Sequence, residues 1–400
     1  MPAAPRAQAS LSLDEARRIV LDAQGLIDGE DTPRTPAEVL RRLGAVQLDT
    51  ISVLARSHEL VAYARLGAMP RSEIEAAYWS SPPRTFEYWG HANCILPMDA
   101  WPYFAFRRRT RGATKRSWIR PEDDAPIHEV LTRLRDGPIT TADVGGARAS
   151  QAGWWNWSEA KRALEWLYFR GEVVCTNRIG WRRIYDLPER AISPQLLAHE
   201  PDDAECYAYL VAAAMTGLGI GTRRDIAAYF QLTGPSHSAP RNGRALIDAA
   251  IETAGLVTVD VEGWDEVAYA REETLSRSIT GECRTTLLSP FDSLIWAPSR
   301  MHKRTERLFD FTYLTELYLP KEKRTHGYFV MPLLANGRLA GRVDPVRRGK
   351  TLIVRRASLD DAEAAPALAT ALREAASWVG CDSVVIESIS PPGILDGHIV

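Results

Sequence analysis

Cysteines and long apolar runs are scarce in this sequence, and each shortage excludes a class of protein. Its 400 residues contain five cysteines, an odd number with no CxxC spacing. Neither a disulfide framework nor a cysteine-rich zinc site is therefore expected. No run of eighteen apolar residues occurs, and residues 1–10 lack the apolar core of a signal peptide. We therefore expect a cytoplasmic protein without a membrane span.

Glycine-rich phosphate-binding loops are missing as well. The sequence has no G-x-x-x-x-G-K-[S/T] pattern, and no G-x-G-x-x-G pattern between a strand and a helix. His91 and Cys94 form one H-x-x-C pair, but no second pair follows at a zinc-binding spacing. We expect no nucleotide cofactor and no metal.

Charge is nearly balanced overall but uneven along the chain. The formal net charge is −2, yet residues 107–120 hold seven basic residues and no acid. Such a segment suits a phosphate backbone, although it is as typical of a solvated basic loop. Trp118 within it favours contact with a partner. Residues 107–125 are predicted to be a basic linker between two modules.

Helices followed by strand pairs recur three times before residue 272. In the first copy, a capped helix at 11–23 and a second helix at 36–43 precede an extended segment at 45–51 and a helix at 52–65. The second copy ends in a hairpin that turns at 177–180. This order predicts three tandem winged-helix modules, at 11–106, 126–190 and 203–272.

From residue 284 onward, short strands separated by Gly, Pro, Asn and Lys replace this pattern. The predicted strands are 287–288, 315–319, 328–334, 338–343 and 351–355, and an alanine-rich helix at 359–379 and a strand at 383–387 follow. We predict a small β-barrel or curled sheet at 284–400. The predicted fold class is α+β.

Gln47 and Asp49 are the first candidate site residues. In an extended segment, residues two apart share a face, so the Gln47 amide and the Asp49 carboxylate would project together while Val46 and Leu48 point into the core. A structural explanation is also open, since Asp49 or Ser52 could cap the following helix.

Several longer motifs carry a family resemblance. They are Leu43–Ile51, Ala55–His58, Arg65–Gly67, Phe86–Ala92 with Leu96-Pro97, Ser289–Trp296 with Arg300, Gly327–Pro332 and Gly341–Pro345. Together they resemble the winged-helix DNA glycosylases that unhook interstrand crosslinks, the AlkZ/YcaQ family. The resemblance spans nearly the whole chain.

This resemblance implies a fold and an activity. It implies tandem winged helices and a C-terminal β-barrel around a C-shaped DNA-binding channel, with Gln47 and Asp49 as the catalytic residues of the Gln-x-Asp variety. The expected substrate is double-stranded DNA with alkylated or crosslinked guanines. N7-alkylation makes guanine a good leaving group, so Asp49 would stabilise an oxocarbenium-like sugar and orient water, with Gln47 assisting. No lysine lies near the motif in sequence, so base release without strand cleavage is expected.

Basic and polar residues outside the motif core are candidates for contact with DNA. The predicted DNA-binding residues are Arg56, Ser57, His58, His91, Lys323 and Arg324. Further candidates for backbone contact are Lys161, Arg162, Arg170, Arg178, Arg182, Arg183, Arg223 and Arg224. Structural alternatives are an Arg56 ion pair with Glu59 or Asp49, and a role of the basic residues near 323 in protecting a sheet edge.

A non-catalytic winged-helix DNA-binding protein, either a transcriptional regulator or a lesion-recognition scaffold, is the alternative function. Three unequal modules without an evident dimerisation helix do not suit the two-fold reading of a palindrome. A monomeric, nucleoid-associated enzyme of DNA repair suits the sequence better. Trp154, Trp155 and Trp157 could stack on bases, but packing between modules is the more common use of such residues.

Overall fold

The computed structural model describes residues 7–113, 121, 124–144, 159–234, 239–296 and 303–394. The α-helices are α1 Leu13–Ala23, α2 Pro36–Leu43, α3 Ser57–Leu66, α4 Arg71–Tyr78, α5 Ala105–Ala113, α6 Ala125–Asp136, α7 Glu159–Arg170, α8 Pro188–Ala191, α9 Pro194–Ala198, α10 Asp203–Leu218, α11 Arg223–Tyr229, α12 Gly243–Thr253, α13 Glu272–Ser276, α14 Arg304–Phe309 and α15 Ala365–Trp378.

The strands are β1 Ala9–Leu11, β2 Val46–Gln47, β3 Thr85–Trp89, β4 Asn93–Pro97, β5 Ile139–Thr140, β6 Val174–Ile179, β7 Arg182–Asp186, β8 Ile220–Thr222, β9 Val257–Val261, β10 Ala268–Ala270, β11 Thr286–Leu287, β12 Met331–Ala335, β13 Arg338–Arg348, β14 Thr351–Leu359, β15 Ser383–Ile386 and β16 Ile389–Ser390. Helices and strands are mixed along the chain, as the predicted α+β class requires. Within the described part of the chain, no helix has the length and apolarity needed to cross a bilayer.

The chain forms two compact units, and neither is continuous in sequence. The first unit comprises residues 1–75, 213–229 and 255–400, and the second comprises 76–212 and 230–254. The first contains a four-stranded sheet in the order β1-β9-β10-β8. It also contains a sheet in the order β11-β12-β13-β14-β15, with β16 beside β14.

The second unit is built around the strands β4-β3-β6-β7-β5 and an aromatic core. The Tyr88 ring meets Phe104 and Tyr168 edge to face, with ring centroids 6.0 and 5.8 Å apart. Edge-to-face pairs of this kind add to the apolar burial that holds a core together. The Tyr88 hydroxyl donates to the Phe169 carbonyl over 2.6 Å, which satisfies the polar end of a buried ring.

Local signals place the first two helices correctly. The Ser12 hydroxyl accepts from the Glu15 amide, and the Glu15 carboxylate accepts from the Ser12 amide over 2.8 Å, which forms a capping box. Helix α2 ends at Gly44, whose φ of 68° is a left-handed conformation that favours glycine. The predicted helices at 126–135, 205–215 and 243–254 and the hairpin at 173–187 are also present, within a few residues.

Several predicted elements differ from the structure. The helix predicted at 359–379 begins at Ala365, because residue 359 ends strand β14. The helix predicted from residue 52 begins at Ser57, and residues 50–56 form an irregular loop. Residues 315–319, predicted as a strand, form a 3-10 turn at Glu316–Tyr318. The start of the predicted basic linker lies in helix α5.

The C-terminal sheet differs from the predicted barrel. Across the described strands, pairing runs from β11 to β15 and does not join the two edges, so the sheet is open. Helix α15 covers it with Leu368, Ala371 and Leu372, which are fully buried with Leu333 and Val354 in one apolar core. Because one helix buries the apolar face, the sheet does not need to close on itself.

Candidate active site

The segment that carries Gln47 and Asp49 is fixed by the first residue of helix α3. The Ser57 hydroxyl donates to the Gln47 carbonyl over 2.7 Å and accepts from the Asp49 amide over 2.9 Å. Ser57 itself is fully buried. One hydroxyl therefore fixes the backbone on both sides of Leu48. Ser57 was predicted to bind DNA, but its buried side chain orders the motif and is not available to DNA.

The Asp49 carboxylate turns towards its own loop. Its Oδ1 accepts from the Ile51 amide over 2.8 Å, and helix α3 begins eight residues after Asp49, with no Asp49 cap. The capping alternative is therefore wrong for Asp49. Burial raises the pKa of Asp49, and hydrogen bonds from the Ile51 amide, the Tyr318 hydroxyl and the Thr50 amide oppose that rise. The result is a half-buried carboxylate whose charged form is stabilised by hydrogen-bond donors.

Sequence reasoning did not associate Tyr318, or the loop of residues 316–328 that contains it, with the motif. Hydrogen bonds within this loop hold it together: the buried Glu316 carboxylate accepts from the His326 and Gly327 amides over 2.8 and 3.1 Å. Gly327, with φ of 146°, packs so closely against Asp344 that a Cβ atom there would lie 2.3 Å from its carboxyl carbon. This contact joins the Gly327–Pro332 motif to the Gly341–Pro345 motif.

The two predicted DNA-binding residues of this loop differ in their surroundings. Arg324 folds back on its own loop, where its Nε donates to the Leu319 carbonyl over 2.9 Å and its guanidinium stacks 4.8 Å from the Tyr328 ring centre. The guanidinium therefore orders the loop, and contact between Arg324 and DNA stays a prediction. Lys323 is exposed and its DNA contact stays a prediction.

His58 also has a structural position. It is fully buried, and its Nε2 lies 2.8 Å from Glu75 Oε1. A direct contact between His58 and DNA is therefore a wrong prediction, since no part of its ring reaches the surface. His58, Glu59 and Glu75 bring possible metal ligands within 4.8 Å of one another. Arg71, however, donates to both Glu59 oxygens over 2.8 and 3.0 Å and already supplies a cation there.

Arg56 precedes this helix and is partly buried. Its backbone amide donates to Glu59 Oε2 over 2.7 Å. The Glu59 carboxylate thus accepts hydrogen bonds from both the Arg71 guanidinium and the Arg56 amide. DNA contact by the Arg56 side chain stays a prediction.

Other motif residues form a buried ion pair. The Arg65 guanidinium binds both oxygens of Asp292 over 2.7 and 2.9 Å, and both side chains are fully buried. It also donates to the Gln24 carbonyl over 2.7 Å. A bidentate pair of this kind ties helix α3 to the Ser289–Trp296 segment within the first unit.

In the second unit, several arginines that were predicted to contact DNA are bound to partners inside the protein. Arg178 and Arg183 both bind Glu87, with Nη2 and Nε to Oε2 distances of 2.7 and 3.1 Å. Burial would raise the pKa of Glu87, but these two arginines together lower it. Arg107 is buried and donates to the Trp89 and Gln231 carbonyls over 2.8 and 3.1 Å, so phosphate contact by this residue is also wrong.

His91 lies in the second unit and contacts Gln231, with an Nδ1 to Nε2 distance of 3.5 Å. Its DNA contact stays a prediction. The remaining candidates on the basic segment after 113, the tryptophans at 154, 155 and 157, and Arg300 lie outside the described residues.

The comparisons with known proteins agree with these motifs. A model of the AlkZ-like DNA glycosylase family matches residues 40–378. The chain belongs to this family. It is therefore a DNA glycosylase, as the motifs predicted. The DNA glycosylase AlkZ of Streptomyces sahachiroi has a similar fold, with a TM-score of 0.61 over 95% of this chain and 100% of that chain, at 19% sequence identity.

Proposed function

We propose that this AlkZ-like glycosylase releases N7-alkylated purines from double-stranded DNA, including the unhooking of interstrand crosslinks, with Gln47 and Asp49 as its catalytic residues. The observation that carries the proposal is the half-buried Asp49 carboxylate on a backbone fixed by Ser57. A negative charge held by fixed donors stabilises a developing cation without reorganisation during the reaction.

An N7-alkylated purine is already a cationic leaving group, so the remaining demand falls on the sugar and on water. Asp49 stabilises the oxocarbenium-like sugar and orients or deprotonates the attacking water, and the Gln47 amide hydrogen-bonds to that water or to the deoxyribose. The products are the free base and an abasic site.

Base removal without strand cleavage is part of the proposal. A lyase needs an amine activated by desolvation or by a neighbouring cation. The loop after Tyr318 does contain Lys321 and Lys323, which the sequence alone did not associate with the motif. Both are exposed, so neither sits in the desolvated pocket that activates a lysine.

The order of elements supports winged-helix modules as the DNA-binding framework. In the second predicted module, α6, β5, α7 and the β6–β7 hairpin follow one another, and β5 pairs with β7. In the third, α10, β8, α11, α12, β9 and β10 follow one another, and β10 pairs with both β8 and β9. Helices followed by such a hairpin are typical of this motif.

Release of the base is the decisive experiment. The protein is incubated without metal or nucleotide with one duplex that carries N7-methylguanine and another that carries an N7–N7 guanine crosslink. We expect free base and alkali-labile abasic sites from the native chain and no borohydride-trapped adduct. Asp49→Asn lowers the single-turnover rate constant by about 10²–10⁴-fold, the usual range for a general base, and still binds DNA.

Asp28→Asn is the matched control, because it removes an exposed carboxylate from the same unit. Its rate constant should equal that of the native chain. DNA binding without release of either base, or full activity of Asp49→Asn, contradicts the proposal. A trapped covalent adduct contradicts its monofunctional part alone.

A further inference from the structure

Tyr318 is an exposed aromatic residue between well-anchored neighbours. It is 71% exposed, whereas Glu316 and Leu317, just before it, are buried. The Glu316 carboxylate accepts from two backbone amides, and Arg324 donates to the Leu319 carbonyl over 2.9 Å. The backbone of the turn is thus held on both sides of Tyr318.

The loop of Tyr318 and the loop of Asp49 share one apolar core. Leu317 and Leu54 belong to the same buried cluster, and Ile51 and Val53 pack against it. The residue before Tyr318 is therefore packed into the cluster that supports the residues just after Asp49. This shared core supports both loops.

The Tyr318 hydroxyl is a hydrogen-bond partner of the Asp49 carboxylate. Partial burial raises the pKa of Tyr318, and the negative charge of Asp49 and a hydrogen bond to it add to that rise. The same hydrogen bond acts in the opposite direction on Asp49, where it favours the charged form against burial. The remaining influences on that carboxyl are the amides of Ile51 and Thr50.

We propose that Tyr318 is a positioning residue for Asp49, and that its hydroxyl donates a hydrogen bond which keeps the carboxylate ionised and in one orientation. This inference rests on the function proposed above. The Ile51 amide holds Oδ1 from the protein side, and the exposed tyrosine supplies a donor from the solvent side. Tyr318 takes no proton from the substrate in this scheme and acts through Asp49.

The test compares the native chain with Tyr318→Phe on a duplex carrying N7-methylguanine. Single-turnover rate constants are measured at saturating enzyme across a range of pH, together with the enzyme concentration that gives half the maximal rate. Tyr269→Phe is the matched control, since it removes one hydroxyl from a partly exposed tyrosine on β10 of the same unit. Thermal unfolding checks that each variant is folded.

Loss of the hydroxyl should lower the rate constant by roughly threefold to tenfold, which corresponds to one hydrogen bond of ordinary strength. The half-saturating concentration should not change. Because the hydroxyl favours the ionised carboxyl, the acid limb of the pH profile should move to higher pH in Tyr318→Phe. A merely structural role would not move that limb.

The outcomes separate this inference from the proposed function. If native protein releases no base, the proposed function fails whatever Tyr318 does. If native protein is active and Tyr318→Phe has the same rate constant and the same acid limb, the positioning role is refuted and the proposed function stands. A shift of the limb to lower pH, or an equal effect of Tyr269→Phe, also refutes it.

Discussion

Removal of the Ser57 hydroxyl tests whether the motif depends on its backbone support. Ser57→Ala leaves the Asp49 amide without its acceptor and the Gln47 carbonyl without its donor, in a place where Ser57 is fully buried. An unsatisfied buried polar group costs about 1–3 kcal/mol. If loss of both hydrogen bonds costs roughly 2 kcal/mol, the melting temperature of the first unit should fall by about 4–8 °C.

The same variant should slow base release more than it weakens DNA binding. Without the hydroxyl, the backbone from Gln47 to Asp49 is no longer fixed, and misplacement of a catalytic group by about 1 Å can cost on the order of 10²-fold in rate. The assay is single-turnover release of N7-methylguanine, beside binding of undamaged duplex. Ser52→Ala, an exposed serine of the same loop, is the control. An unchanged rate constant with a weaker affinity for undamaged duplex would refute the reasoning, because the hydroxyl would then act on DNA.

Two further predictions concern residues with opposite surroundings. Arg65→Met should destabilise the first unit by about 3–5 kcal/mol, because it leaves the fully buried Asp292 carboxylate without its cation; an unchanged thermal unfolding profile would contradict this. Lys323→Ala should weaken binding to any duplex and reduce the slope of log K against log salt by about 0.9, as expected for one lost phosphate contact. Lys350→Ala is the control: it removes an ammonium paired with Asp382 over 3.0 Å and should change neither the affinity nor the salt slope. If the slope of Lys323→Ala stays at the native value, Lys323 does not contact a phosphate.

Local signals were sufficient for elements whose ends are set by neighbouring residues. Helix α2 is capped by Thr35, has Pro36 in its first turn and ends at Gly44, and all three signals are visible in the sequence. Helix α3 was predicted five residues too early. Its true start is marked by Glu59, whose carboxylate accepts from the Arg56 amide. The apolar residues Val53, Leu54 and Ala55 concealed this capping pattern.

Contacts between distant residues could not be predicted in this way. Residues 315–319 contain Thr315 and Tyr318, types that are common in strands. The Glu316 carboxylate, however, accepts from the amides of His326 and Gly327, and the chain turns there. Tyr318 and Asp49 are far apart in sequence, and neither residue type at its position indicates the other. The sequence alone predicted Arg178 and Arg183 as exposed cations of a wing, whereas in the structure both pair with the buried Glu87.

The motif residues have two different tasks, and their surroundings tell the tasks apart. Arg65 and Asp292 are fully buried and bound to each other, so neither can meet a substrate without breaking the ion pair. Asp49 is only half-buried, and burial raises its pKa while donors hold it charged. A carboxylate in that state is available for chemistry at a small energetic cost. It follows that replacing Asp49 by asparagine should slow base release by about 10²–10⁴-fold and preserve the fold, whereas replacing Arg65 should impair activity only through loss of the folded unit.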